Sequence, residues 1–268
     1  MNIEYPANKK LHNVLLEILD EFVRICNENN LNYFLTGGTL LGAVRHKGFI
    51  PWDDDIDLAM PRKDYELFLD ICELIPTTNY YVLSYRSKEK AGNYCKHIAR
   101  FCKSDSVFAE SKKNSDSYSG IFIDIWPYDN CILFFVPFQY KLIKIFFQLS
   151  RIKSGILSTN KKSSKTIGKI ICKLLSENTI NNIHKKLYLI FNKKDTKYIS
   201  FFSGRNGYKK ETHKFNTIFP LSSIGFEGKN YLAPNNYDSV LKILYGNYME
   251  LPPIEQRQSH SPEYILFE

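Results

Sequence analysis

The chain has 268 residues, of which 44% are apolar, 15% aromatic and 24% charged, with a formal net charge of +8. It is long enough to bury a full core as one large domain or two small ones, and its composition excludes a disordered, collagenous or low-complexity protein. Residues 130–197 carry 14 Lys/Arg against two acids, a net of +12 that leaves −4 for the rest, so the basic character is local and reads as one anionic contact surface.

Leu11, Val14, Leu15, Ile18, Leu19, Phe22, Ile25 and Cys26 recur at helical spacing and predict an amphipathic helix over 11–29. Residues 31–36 read as a short buried strand. Gly37-Gly38 makes a turn, and Thr39 caps a short helix over 40–46 that Lys47-Gly48 ends. A strand over 56–60 opens with acids and closes at Pro61. Tyr65, Leu67, Phe68, Ile71, Cys72 and Leu74 give a second helix. Strands are expected over 80–85, 95–102 and 121–126, the last stopped by Pro127.

At residue 130 the texture changes. Residues 132–149 are strongly apolar but interrupted by Gln139, Lys141, Lys144 and Gln148. A spanning helix wants ~20 mostly apolar residues, so a buried or interfacial helix is expected. A Ser/Lys/Thr/Asn stretch over 158–165 and two further helices complete a basic helical insertion. Strands resume over 198–202, 218–224 and 229–232, the last two joined as a hairpin by Gly225-Phe226-Glu227-Gly228. A helix over 236–244 is ended by Gly246, and an irregular tail begins at Pro252-Pro253. No basic stretch precedes an apolar one at the N-terminus, and the six cysteines include no CxxC pair. A secretory signal and a structural zinc site are therefore not expected, and the cysteines read as reduced thiols of a cytoplasmic protein.

The segment Trp52-Asp53-Asp54-Asp55-Ile56-Asp57 places four carboxylates in five positions. Two such charges ~6 Å apart at an effective dielectric of ~20 repel by about 3 kcal/mol. Solvent relieves that repulsion, and so does a cation among the oxygens. Strand alternation puts Asp53, Asp55 and Asp57 on one face and Asp54 on the other, with Asp55 and Asp57 the less solvated pair. Hard oxygen ligands with water access suit Mg²⁺ or Mn²⁺; a solvated acidic loop has the same residues. Asp124 stands in an apolar strand, where an acid needs a partner or becomes neutral. It completes a three-carboxylate cluster if the two strands are neighbours, or it pairs in the core with an Arg or a backbone amide.

The amides at Gly37-Gly38 can approach a phosphate at a helix N-terminus, although an ordinary tight turn looks the same. Arg45 suits either a donor phosphate or the carbonyl end of its own helix. Lys96 and Arg100 share one face of an expected strand and read as anion contacts or as surface charge. Trp52 and Trp126 flank the acidic motifs, where they can stack on cytosine or a quaternary ammonium, or pack strand ends. His260 is a further candidate for substrate contact. His12, His97, His184 and His213 carry no signal.

A Gly-Gly turn, a D-x-D strand and a later lone Asp form the layout of the nucleotidyltransferase (polymerase-β-like) fold. That implies an α+β domain, with flanking helices on a mixed sheet. The gap from Gly38 to Asp55 is longer than that superfamily usually shows. The string from Thr36-Gly37-Gly38-Thr39 through Arg45-His46, Gly48-Phe49-Ile50-Pro51-Trp52 and Asp53 to Asp57 resembles the LicD family, the phosphorylcholine transferases related to fukutin. Gly120 to Asp124 with Pro127 and Asp129 resembles the family's second block. Phe219-Pro220, Leu232-Ala233-Pro234, Tyr245-Gly246-Asn247-Tyr248-Met249 and Leu251-Pro252-Pro253 resemble its C-terminal block. The resemblance covers residues 10–130 and 200–260. It divides the chain into a catalytic core (1–129), the basic insertion (130–197) and a C-terminal part of the catalytic domain (198–268).

The resemblance implies a reaction. A CDP-activated donor, CDP-choline or a CDP-linked polyol, passes its substituted phosphate to a glycan hydroxyl of lipopolysaccharide, teichoic acid or capsule, and CMP leaves. On that reading Asp55, Asp57 and Asp124 are catalytic and, with Asp53, hold Mg²⁺ or Mn²⁺. The amides of Gly37, Gly38 and Thr39 bind the donor together with Arg45 and Lys96. Asp124 is the candidate to accept the proton of the attacking hydroxyl. The rival chemistry moves the NMP group to a small acceptor and releases pyrophosphate. A nucleic-acid partner is not expected, because the positive charge lies outside the motif core and no RRM, KH or zinc signature occurs. The basic insertion is expected either to touch an anionic membrane or lipid-linked glycan peripherally or to cover the core with its lysines in water.

Overall fold

The computed structural model describes residues 6–74, 79–87, 98–109, 118–153, 173–257 and 264–267. The chain forms two compact units, Met1–Pro127 with Phe215–Glu268, and Tyr128–Lys214. The basic segment 130–197 falls inside the second unit, which continues past it to Lys214.

In chain order the elements are α1 (Pro6–Glu28), β1 (Phe34–Leu35), α2 (Gly37–Arg45), β2 (Asp57–Pro61), α3 (Arg62–Leu74), β3 (Tyr80–Leu83), β4 (Ala99–Lys103), β5 (Val107–Ala109), β6 (Tyr118–Ser119) and β7 (Phe122–Cys131). Then follow α4 (Val136–Lys153), α5 (Glu177–Leu189), β8 (Tyr198–Ser200), β9 (Thr212–Lys214), β10 (Ser222–Phe226), β11 (Lys229–Ala233), α6 (Tyr237–Tyr245) and β12 (Tyr264–Leu266).

The first unit is α+β. Its main strands lie in the order β1-β2-β7-β4-β3. β1 is antiparallel to β2, and β4 is antiparallel to both β3 and β7. A second sheet has the order β12-β5-β6. The apolar stripe of α1 (Leu11, Leu15, Ile18, Leu19, Phe22, Ile25 and Cys26) is buried. Phe22 meets Tyr33 and Phe68 at ring distances of 5.4 and 5.1 Å, and Phe68 meets Phe101 of β4 at 5.8 Å. Aromatic contacts thus pin α1 and α3 to the sheet. α1 starts earlier than its apolar spacing indicates, at Pro6, where the missing amide is one that a helix start leaves unpaired anyway.

The strands β5, β6, β9 and β12 have no counterpart in the sequence reading, β12 lying in the tail it reads as irregular, and three further elements differ in extent. α2 begins at Gly37, so the glycine pair is the first turn of the helix and Thr39 lies inside it. β7 runs through Pro127 to Cys131. β4 partners residues 122–125 and β8 partners residues 129–131, so Pro127 falls between two ladders where no amide is required. Third, Ile218 ends a one-turn helix, Phe215–Ile218; after the cis Phe219-Pro220 bond, the strand starts at Ser222. Pro220 has no amide to give a ladder. The hairpin β10–β11 closes through Glu227 and Gly228, both at positive φ (49° and 78°), the two-residue turn whose twist suits paired strands.

In the second unit, α4 and α5 pack around Cys131, Val136, Ile143, Leu187, Tyr188 and Phe202. Gln139 donates to the carbonyl of Leu187 at 2.7 Å. Ser176 caps α5 by accepting from the Thr179 amide at 3.1 Å. β8 pairs with residues 129–131 and with β9. Among the described residues no helix is long and apolar enough to cross a membrane. Cys26, Cys72, Cys102 and Cys131 are free thiols whose pKa burial pushes up, while Cys95 and Cys172 lie outside the described residues.

Candidate active site

Asp57 is the first residue of β2, and the first turn of α2 grips it. The amide of Thr36 donates to its carbonyl at 3.2 Å, and its own amide donates to the Thr39 hydroxyl at 2.8 Å. The Gly38 amide donates to its carboxylate. Thr39 therefore serves the acidic strand, not the end of its own helix as its cap.

The glycine pair makes room for carboxylates. A Cβ at Gly37 would lie 2.5 Å from Asp57 Oδ2 and 3.2 Å from the ring of Trp126, at a residue whose φ is +54°. A Cβ at Gly38 would lie 2.7 Å from Asp53 Oδ2. At Gly37 the positive φ and the buried Asp57 call for glycine, whereas a Cβ at Gly38 would push the tip of Asp53 aside.

The second acidic motif arrives through the sheet. The Asp124 amide donates to the carbonyl of Ile56 at 2.9 Å, which brings β7 beside the end of the acidic run. Asp124 and Trp126 are half-buried and two residues apart on β7, so they share a face. Across the β4–β7 ladder Arg100 is the register partner of Asp124, with Nε 3.3 Å from Oδ1 and its guanidinium 3.8 Å above the ring of Phe122. Asp124 thus has both neighbours that its sequence position allowed, a buried Arg and the carboxylates around Asp57.

Burial holds the Asp57 carboxyl well above the ordinary range, and Asp55, Asp124 and Asp53 push it in the same direction. The Gly38 amide opposes them. Burial corrects one expectation: Asp54 (4% exposed) and Asp57 (9%) are the buried pair, while Asp53 and Asp55 are half-buried. The regular strand starts only at Asp57, so strand alternation does not extend back over 53–56. Among the described residues no three His, Cys, Asp or Glu side chains close on a common point as metal ligands. The carboxylates are electrostatic neighbours in an open arrangement.

Other candidates have different surroundings. Arg45 donates from Nη1 to the carbonyls of Tyr248 (2.8 Å) and Glu250 (3.3 Å), and from Nε to His46 (2.9 Å). It ties α2 to the C-terminal block. The guanidinium of Arg257 lies 4.8 Å over Trp52. Lys96 and His260 lie outside the described residues.

Two residues were missed. His12 Nε2 donates to the carbonyl of Asp53 at 2.8 Å, and its ring stacks on Phe49 at 3.8 Å. Burial keeps this histidine below its usual pKa, so the neutral ring with its proton on Nε2 holds the acidic loop. Glu227 accepts from the Phe49 amide at 2.9 Å and donates its own amide to the Lys47 carbonyl at 3.0 Å. The tip of the β10–β11 hairpin thereby braces the loop leading to Asp53. Neither contact leaves a local trace in the sequence, because the partners are distant along the chain.

Comparison with known proteins identifies the lineage. A family model described as "LicD/FKTN/FKRP, nucleotidyltransferase domain" matches residues 30–137. Lipopolysaccharide cholinephosphotransferase LicD of Haemophilus influenzae is 33% identical over 269 aligned positions, covering 94% of this chain and 96% of that protein. An uncharacterized protein of Rickettsia prowazekii is 32% identical over 127 residues, 46% of this chain and 44% of its own. Ribitol 5-phosphate transferase FKRP of Homo sapiens is 45% identical over 42 residues, 16% of this chain and 8% of that one. One relative aligns almost end to end, and the family model spans the segment holding Gly37, Asp57 and Asp124: the chain belongs to the LicD family.

Proposed function

We propose that this protein transfers phosphocholine or a polyol phosphate from a CDP-activated donor to a hydroxyl of a cell-surface glycan, with a divalent cation at the Asp57 site. The observation that carries the reading is the near full-length identity to a lipopolysaccharide cholinephosphotransferase, combined with carboxylates from two distant segments meeting around Asp57. A nucleotide-activated donor argues for action in the cytoplasm.

Asp53, Asp55, Asp57 and Asp124 are the residues that would hold Mg²⁺ or Mn²⁺. Their oxygens are the hard donors these ions prefer, and Asp57 is opposed in its charged form by its neighbours, which a cation would relieve. When bound, the ion neutralises charge on the diphosphate and the leaving group. The chain's own residues do the rest. Thr39 and Gly38 fix the backbone and carboxylate of Asp57. Arg100 holds Asp124 in place, and Asp124 would accept the proton of the acceptor hydroxyl. Trp126, half-buried beside Gly37, would offer an aromatic face to cytosine or choline. The nucleotidyltransferase fold is the architecture in which we read these elements. Lys96 is retained as a donor contact, whereas Arg45 would act through its hold on the C-terminal segment.

Product identification tests the reading. The purified chain is incubated with Mg²⁺, a glycan acceptor and either CDP-choline or CDP-linked polyols. Release of CMP with a phosphodiester on the glycan is expected. Pyrophosphate release from a nucleoside triphosphate would support NMP transfer instead, and full turnover by Asp57→Asn would refute the site.

A further inference from the structure

We propose that the second unit docks peripherally on anionic lipid bilayers through residues 132–138 and the lysines beside them. The inference is independent of the chemistry proposed above.

The 3-10 turn Leu133–Phe135 and the first turn of α4 expose an unusual run of large apolar side chains. Phe134 is 85% exposed, Phe138 63%, Leu133 50% and Phe135 46%, while Val136, Gln139 and Ile143 of α4 are buried. The inner face already packs the core of the unit, so the outer aromatics are surplus to folding. Phe135 contacts Phe134 at 5.4 Å and Phe191 at 6.0 Å, and the neighbouring Ile190 is 54% exposed. Side chains from two separate segments thus form one apolar patch. Exposed apolar residues are ordinary when scattered, but contiguous patches mark interaction surfaces.

Charge selects the occupant. Lys141, Lys193, Lys194 and Lys197 are exposed around the patch, with Asp195 the acid among them. A groove of about 340 Å³, lined by Ile132, Leu133, Phe134, Lys194 and Lys197 among others, runs beside it. Aromatic and aliphatic side chains flanked by lysines suit a bilayer interface, where rings enter the headgroup level and ammonium groups meet lipid phosphate. A second copy would set like charges against each other, since the exposed residues beside the patch are four lysines and one acid. The absence of a spanning helix among the described residues makes the contact peripheral.

Co-sedimentation of the full chain with sucrose-loaded vesicles tests this. Pure phosphatidylcholine is compared with phosphatidylcholine containing about one-third phosphatidylglycerol, at low and high salt. Binding to the anionic vesicles at low salt, weakened by salt, is expected. Phe134→Ser/Phe138→Ser and Lys194→Glu/Lys197→Glu should each weaken it at least about tenfold, with thermal unfolding unchanged because all four side chains are exposed. Absence of binding, equal binding to neutral vesicles, or wild-type binding by both variants would overturn the proposal. So would a concentration-dependent dimer in sedimentation velocity that the Phe variant abolishes in a chain that ignores lipid.

Discussion

The backbone amide of Asp124 donates to the carbonyl of Ile56 at 2.9 Å. This bond joins two acidic motifs that lie far apart in the chain. It sets Asp124 close enough to raise the pKa of Asp57, while Arg100 on the opposite strand holds Asp124. Repulsion and compensation therefore come from the same sheet.

The charged form of Asp57 is unfavourable in the fold. Asparagine keeps an acceptor for the Gly38 amide and removes the repulsion. Asp57→Asn should keep or raise stability, by about 1 kcal/mol in urea unfolding, while turnover falls at least about 100-fold. A large loss of stability would mean that the charge is compensated in the folded state.

Thr39 supplies the acceptor for a buried amide. Thr39→Val is nearly isosteric but leaves the Asp57 N–H unpaired, which should cost about 1–3 kcal/mol. Thr39→Ser should retain most of the stability and activity. Chemical denaturation and turnover of the pair measure this; identical behaviour of Val and Ser would show that the hydroxyl is unimportant.

Two glycines separate backbone conformation from crowding. Gly228 has φ +78° with nothing near its missing Cβ, whereas Gly37 has φ +54° and a carboxylate oxygen 2.5 Å away. Gly228→Ala should cost roughly 1 kcal/mol and spare activity. Gly37→Ala should cost more and displace Asp57, abolishing turnover. Equal effects on both properties would contradict the crowding at Gly37.

The second unit should weaken in acid. Burial lowers the pKa of His184 and His213 to about 4, from 6.5. Above pH 6.5 neither state is protonated. Between about 6.5 and 4 the unfolded chain takes up protons that the folded one refuses, so stability falls with falling pH, by up to about 3 kcal/mol per ring. Glu211, raised by burial, acts in the opposite direction towards the acid end. His213→Phe, which preserves stacking on Tyr128, should flatten the pH dependence of unfolding. An unchanged slope would remove His213 from this account.

Local signals carried much of the architecture. The apolar period of α1, the turn at Glu227-Gly228 and the ends of α6 at Asn236 and Gly246 are written in adjacent residues. The acidic run and the glycine pair identify the candidate site by composition alone. Residues 53–56 misled because alternation describes a strand only where a neighbouring strand imposes one. Pro127 misled because an amide matters only where a ladder demands it, and there the partner changes.

The sequence by itself determined the α+β class, the main helices, the two acidic motifs and the family, since periodicity and contiguous strings survive without knowledge of contacts. Only the tertiary structure decided that Thr39 serves Asp57, that His12 and Glu227 brace the acidic loop, and that Arg45 holds the C-terminal block. Those bonds join residues far apart in the chain. Their partners are selected by packing, which no local pattern encodes.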